Sequence, residues 1–306
     1  MPQKTWLLSA DFIYEITGSD PLGEYSIEID PEYTVVGDPD AVGIPYSVNT
    51  TTVTFVDTVY VDDDAPDAPG PGDPAVSDPL ENGSLDHPYD SIAEAIAAAA
   101  DGMLVVVLDG TYTGLGNRDL SFNGKKIEVR SQNGPSRCVI DCGGAGRAFI
   151  FDSGESSDSV LRGLTITGGS AGKGGGVYCN GASPIIRNNV IAGNSAQLGG
   201  GIALENSSAQ IKFNTIAGNS ASVSGGGLYA NACQTPVGQN LILWGNTCVE
   251  GAQVAAKGSS TMVLTHSDVA GGQAAASQES GSMIVFGIGT INVDPLFANP
   301  GSLITT

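Results

Sequence analysis

Between Gly174 and Thr247 the chain repeats one phrase three times. It reads GGGVYCNGASPIIRNNVIAGNSAQL from Gly174, GGGIALENSSAQIKFNTIAGNSASVS from Gly199 and GGGLYANACQTPVGQNLILWGNT from Gly225. Self-similarity at such a near-constant step is the mark of a solenoid. A helical repeat needs apolar residues three and four apart. Here short β-branched runs, Ile185-Ile186 and Val190-Ile191, are broken every few residues by Asn or Gly. That pattern predicts an all-β fold, a parallel β-helix with two or three short strands per coil and coils of about 22–26 residues. No coil of this kind buries its apolar face alone, so each is stabilised by stacking on its neighbours.

The aligned columns carry the expectation to particular residues. Leu161, Ile186 and Ile211 recur at the repeat step, as do Ile166, Ile191 and Ile216, and both files are expected inside the coil. Gly193, Gly218 and Gly245 are each followed by an asparagine, Asn194, Asn219 and Asn246. Asparagine tolerates the left-handed conformation, and stacked amides hydrogen-bond up a column.

Charge is distributed unevenly. The net charge is −21, but residues 1–90 hold 19 acids and one base, while residues 91–306 hold 14 acids and 11 bases. Such a balance argues against DNA or RNA, whose phosphates demand a basic surface. No apolar run approaches the length of a membrane span. Met1 to Phe12 has too short an apolar stretch for a secretory leader, and an internal or engineered start is expected. Five cysteines make no disulfide framework. Cys138 and Cys142 would lie about 13 Å apart along a strand, too far to bridge. Buried thiols are the expectation, with a cross-coil pair such as Cys142 with Cys179 as the alternative. Only His87 and His266 are present, and neither sits in a zinc-spaced cluster.

In chain order, residues 1–58 alternate in the β manner and read as a small β-rich unit. Residues 59–90 are an acidic Pro/Gly-rich linker. Its acids Asp62, Asp63, Asp64, Asp73, Asp78 and Asp86 offer oxygen ligands to a structural Ca²⁺, although the spacing of an EF-hand loop is missing. Residues 91–102 predict a capping helix, with Ser91 as N-cap, Glu94 as its capping-box partner and Gly102 at the stop. Residues 103–306 form the solenoid. Its first coils are irregular, with Val129 and Phe151 read as equivalent positions one coil apart, and its C-terminal end reads as truncated.

Several phrases taken together resemble a known family. YVDDDAP, GSLDHPYDSIAEAIAAAADG, VVVLDGTYTG, CVIDCGGAGRAFIF, GLTITGG, LILWGNT, HSDVAGG and DPLFANP are similar to the right-handed parallel β-helix repeat proteins. These are secreted or surface proteins, common in planctomycetes and related bacteria. The resemblance covers about residues 59–300. It implies a pectate-lyase-like solenoid with an N-terminal helical cap and an extracellular or cell-surface location. Most such proteins are uncharacterised, so it informs fold more than activity.

Polysaccharide lyases need a Lys or Arg base, and a cation or Arg to neutralise the uronate carboxylate. Glycoside hydrolases need two facing carboxylates. Residues 168–247 hold a single acid, Glu205, so no catalytic residues are assigned. Arg162, Arg187 and Lys212 follow one another at the repeat step and are expected to stack outward as a file for an anionic polysaccharide; the plainer reading is a solvated exterior face. Tyr229 and Trp244 are the candidate aromatic pair for sugar stacking. Asp109 and Asp141 are expected to cap turn amides, and His266-Ser267-Asp268 points to alternating faces, so it makes no triad. The reading favours a non-catalytic module for display, adhesion or matrix and fibre assembly, with a polysaccharide or another copy of itself as partner. The alternative is a Ca²⁺-dependent lyase or epimerase acting on a uronate polymer.

Overall fold

A computed structural model describes residues 57–63, 80–234 and 236–297, and the backbone of Thr5–Ser9 and Phe12–Glu15. The chain divides into two units, Met1–Asp57 and Thr58–Thr306. In the first, Thr5–Ser9 and Phe12–Glu15 pair antiparallel, with Trp6 opposite Tyr14. Residues 16–56 of the expected β-rich unit lie outside the described residues.

The second unit is a parallel β-solenoid of about seven turns. Three short strands per coil build three parallel sheets of nine, seven and seven strands. One regular coil runs Val160–Arg162 in sheet I, Thr165–Thr167 in sheet II and Val177–Asn180 in sheet III, then returns to sheet I at Ile185–Arg187. A small three-stranded sheet from Ser170–Lys173, Ser195–Leu198 and Ser220–Ser224 fills the stretch between sheets II and III.

The predicted files stand in register. Leu161, Ile186 and Ile211 pair directly, as do Ile166, Ile191 and Ile216, and all six are essentially without exposure. Strand alternation sends one residue in and the next out, so each file continues as far as pairing does. Near the N-terminal end the core holds Phe122, Phe149 and Phe151, all fully buried, with Phe122 edge-on to both others.

The glycine–asparagine column divides its labour differently from the expectation. Gly193, Gly218 and Gly245 take the left-handed turn at φ of 67°, 63° and 62°, leaving the asparagines free to turn inward. Asn194 Nδ2 donates to Asn219 Oδ1, and Asn219 Nδ2 to Asn246 Oδ1, both at 3.0 Å. A second ladder, Asn189 to Asn214, stands at the corner between sheets I and II.

The expected coil length fails in the first turns. Val129 pairs with Leu161, well beyond the step expected, whereas Phe151 belongs to sheet III and pairs with Cys179. The extra residues form a surface loop after Phe151, held by buried Glu155. Its two carboxylate oxygens accept from Gly124 N and Ser153 N at 3.0 Å. Later coils return to the shorter step: Ile186 pairs with Ile211, Ile211 with Gly238, Gly238 with Leu264 and Leu264 with Phe286.

The capping helix spans Ile92–Ala98 and buries Ile92, Ala95 and Ile96 against the first coil. Ser91 Oγ accepts from Glu94 N as expected. The helix ends before Gly102, because Ala99 is already extended and Lys125 Nζ donates to the carbonyls of Ile96, Ala97 and Ala99. An ammonium at that end also complements the negative end of the helix dipole. All five cysteines are thiols; four are buried, and burial pushes Cys142 up to about 12.

Candidate functional site

Sheet I carries the charged file on its outer surface. Register places Arg162 beside Arg187, Arg187 beside Lys212 and, on the other side, Arg162 beside Arg130. Arg130 extends the expected file by one coil. The assumption of even coil lengths concealed it, since the coil between Arg130 and Arg162 carries the added loop. Adjacent coils lie about 4.8 Å apart, so four cations line about 14 Å of surface.

Among the described residues, one carboxylate answers them. Glu128, two residues before Arg130 on the same strand, reaches Arg162 Nη1 at 3.4 Å and Arg187 Nη2 at 3.6 Å. Lys212 Nζ donates instead to Gln210 Oε1 at 2.6 Å. The file therefore keeps three positive charges in excess. The side chains of Arg162 and Arg187 are 41% and 37% exposed, so their heads meet solvent while their stems lie on the sheet. The Nε atoms of Arg130 and Arg187 are buried and reach no acceptor. An unmet buried donor costs about 1–3 kcal/mol.

At the corner after Lys212, Phe213 is exposed and holds φ at 55°, where the adjacent coils place Asn188 and Asn240 at φ of 57° and 53°. Asparagine adopts this region readily; phenylalanine is held there at a cost of about 1–3 kcal/mol. A substitution of Asn by Phe in an aligned corner column was the signal available in the sequence. By contrast, Tyr229 and Trp244 do not form the expected pair. Tyr229 lies in sheet III, buried over Ala203 and Ala255, whereas Trp244 is half-buried in sheet II.

The solitary acid of the regular coils sits in a second cluster, on the outer face of sheet III. Lys173 Nζ donates to both Glu205 oxygens, at 2.8 and 2.7 Å, and the Tyr178 hydroxyl donates to Oε2. The Arg147 guanidinium lies 5.1 Å from the centre of the Tyr178 ring. Burial pushes Glu205 upward, but Lys173, Tyr178 and Asn231 together hold it below its ordinary value. Burial and the bond to Glu205 push Tyr178 well above the usual tyrosine range, so its proton stays in place. Base, acid and hydroxyl thus satisfy one another, which suits a buckle between two adjacent coils better than proton transfer.

The sign of the shift gives a prediction. A carboxyl lowered in the folded state contributes stability fully present above its unfolded value of 4.5, and lost as pH falls through its folded value. Glu205→Gln is therefore expected to cost about 1–2 kcal/mol at pH 7, with the difference from wild type shrinking below pH 4.5. Urea midpoints across that range would measure it; a difference independent of pH would contradict the assignment.

Of the acids proposed for Ca²⁺, Asp64, Asp73 and Asp78 lie outside the described residues. Asp63 is buried and accepts from Thr111 N at 2.6 Å, fastening the start of the solenoid to the next coil. Asp62 is half-buried and Asp86 exposed, and neither joins a cluster of three ligands among the described residues. Asp141 caps Gly143 N at 2.9 Å as expected, whereas Asp109 takes the Asn133 amide at 3.0 Å. The Ser267 hydroxyl donates to Thr265 O and accepts from Leu241 N, so it serves the corner.

A family model described as a protein of unknown function (DUF1565) matches residues 153–286, which covers the regular coils. No curated protein and no solved structure matches the chain.

Proposed function

We propose that this chain is a non-catalytic, extracellular β-helix module that holds an acidic polysaccharide along the outer face of sheet I. The observation that carries the reading is the in-register file Arg130, Arg162, Arg187 and Lys212, opposed among the described residues by Glu128 alone. Stacked like charges repel, and a carboxylate-bearing polymer laid along the solenoid axis relieves that repulsion at every coil. The exposed guanidinium heads of Arg162 and Arg187 supply directional contacts, and exposed Phe213 offers an apolar ring to a sugar face. A rigid rod needs no motion to present such a surface, which suits adhesion or matrix assembly.

Titration calorimetry with polygalacturonate and alginate tests this. Arg187→Ala is expected to weaken binding about tenfold, the loss of one charge-assisted contact, and added salt to weaken it further. Binding unchanged in Arg187→Ala would dispose of the proposal. Ultraviolet absorbance from an unsaturated product would replace it with the lyase reading.

A further inference from the structure

Where the solenoid begins, three carboxylates from different local elements converge. Glu81 belongs to the turns that precede the capping helix, Asp90 stands immediately before its N-cap and Glu94 lies in its first turn. One oxygen from each lies within 4.8 Å of the others. The Ser91 hydroxyl donates to Glu94 Oε2 at 2.6 Å, which does nothing for Asp90 Oδ2. Asp90 is only 5% exposed, and its Oδ2 is buried with no hydrogen-bond donor. An acceptor stripped of water and given no partner is costly to keep, and here two further carboxylates face it.

We propose that Glu81, Asp90 and Glu94 form a binding site for a calcium ion. The donor set is all oxygen, which suits a hard cation. Ca²⁺ takes carboxylates from separate elements in a flexible shell, whereas Mg²⁺ demands a near-ideal octahedron and gives up its water reluctantly. Backbone carbonyls and water complete the six to eight oxygens that Ca²⁺ takes. The ion would tie the turns around Glu81, which pair with the first strand of sheet I through Tyr60 and Tyr89, to the helix that closes the core. The site is distinct from the basic file, and the two readings stand or fall separately.

The test uses the full chain, stripped with EGTA and then titrated with CaCl₂, with MgCl₂ as the competing ion. At a calcium concentration about 100 times the dissociation constant, the melting temperature is expected to rise by about 5 °C, and magnesium to produce little of that rise. Asp90→Asn keeps the shape and removes the charge. It is expected to melt no lower than wild type in EGTA and to lose the response to calcium. Glu81→Gln provides the same reading should Asp90→Asn not fold. No calcium-dependent rise in wild type would overturn the proposal. So would a rise of equal size in Asp90→Asn or, should that variant not fold, in Glu81→Gln, which would assign the ion to other acids.

Discussion

Replacing Gly200 by alanine is expected to unfold the regular coils or to lower their stability by about 4 kcal/mol or more. Gly200 is the middle residue of the second glycine triplet. A Cβ built on it would lie 2.4 Å from Gly226 O and 2.4 Å from Ser220 O, both backbone atoms of the next coil. A flexible side chain moves aside at little cost. A carbonyl inside a hydrogen-bonded ladder moves only if the ladder opens, and Gly200 N itself donates to Gly225 O at 3.0 Å. The effect is steric, because Gly200 does not have the positive φ that its neighbour Gly199 adopts at 65°. Gly172→Ala is the control: it lies in a strand, without positive φ, and its Cβ would meet nothing within 4 Å. That variant is expected to match wild type or exceed it by about 0.5 kcal/mol through the unfolded chain's lost entropy. Urea unfolding of the two variants would check this, and similar midpoints would refute the packing argument. Each coil touches only its neighbours, so the defect also falls where the rod is most easily divided.

The same stacking explains which parts of the molecule a reader of the sequence recovers. Ile186 and Ile211 are predictable because a file of like side chains needs only a constant step, and the step is printed in the repeats. The file Arg162, Arg187, Lys212 follows from the same arithmetic. Arg130 and Glu128 do not, because the loop around Glu155 lengthens one coil and breaks the alignment where the counter-charge sits. Glu205 illustrates a different limit. As the lone acid of the regular coils it argues against a catalytic pair, yet Lys173 and Tyr178 become its partners only when coils a repeat apart are laid side by side. Glu94 had a local explanation in the capping box, which hid its approach to Glu81 and Asp90. Local signals describe one coil. A site assembled from several coils needs their lengths, and insertions alter these without a mark in composition.

Asn219→Ala is expected to cost about 3–5 kcal/mol, although it leaves the apolar core intact. Asn219 Oδ1 accepts from both Asn194 N and Asn194 Nδ2 at 3.0 Å, and its Nδ2 donates to Ile191 O at 2.8 Å and to Asn246 Oδ1 at 3.0 Å. The residue is fully buried, so no water replaces what alanine removes. Asn194 N loses its acceptor and Ile191 O loses a donor, each worth about 1–3 kcal/mol when left buried. Truncating Lys126, whose pairing with Asp158 at 3.8 Å is solvent-exposed, is expected to change stability by less than about 0.5 kcal/mol. Asn219→Asp separates ladder from volume. A carboxylate there would turn an oxygen towards Ile191 O and Asn246 Oδ1, so it folds best with its proton on. Its pKa in the folded state must then exceed its unfolded value, and the variant gains stability relative to wild type as pH falls and loses it as pH rises. The alanine variant carries no such group, so its deficit should be the same at pH 5 and pH 8. Denaturation at the two pH values distinguishes the cases: equal pH dependence in both variants would mean that the amide file is a filler of space, and that shape alone holds successive coils in register.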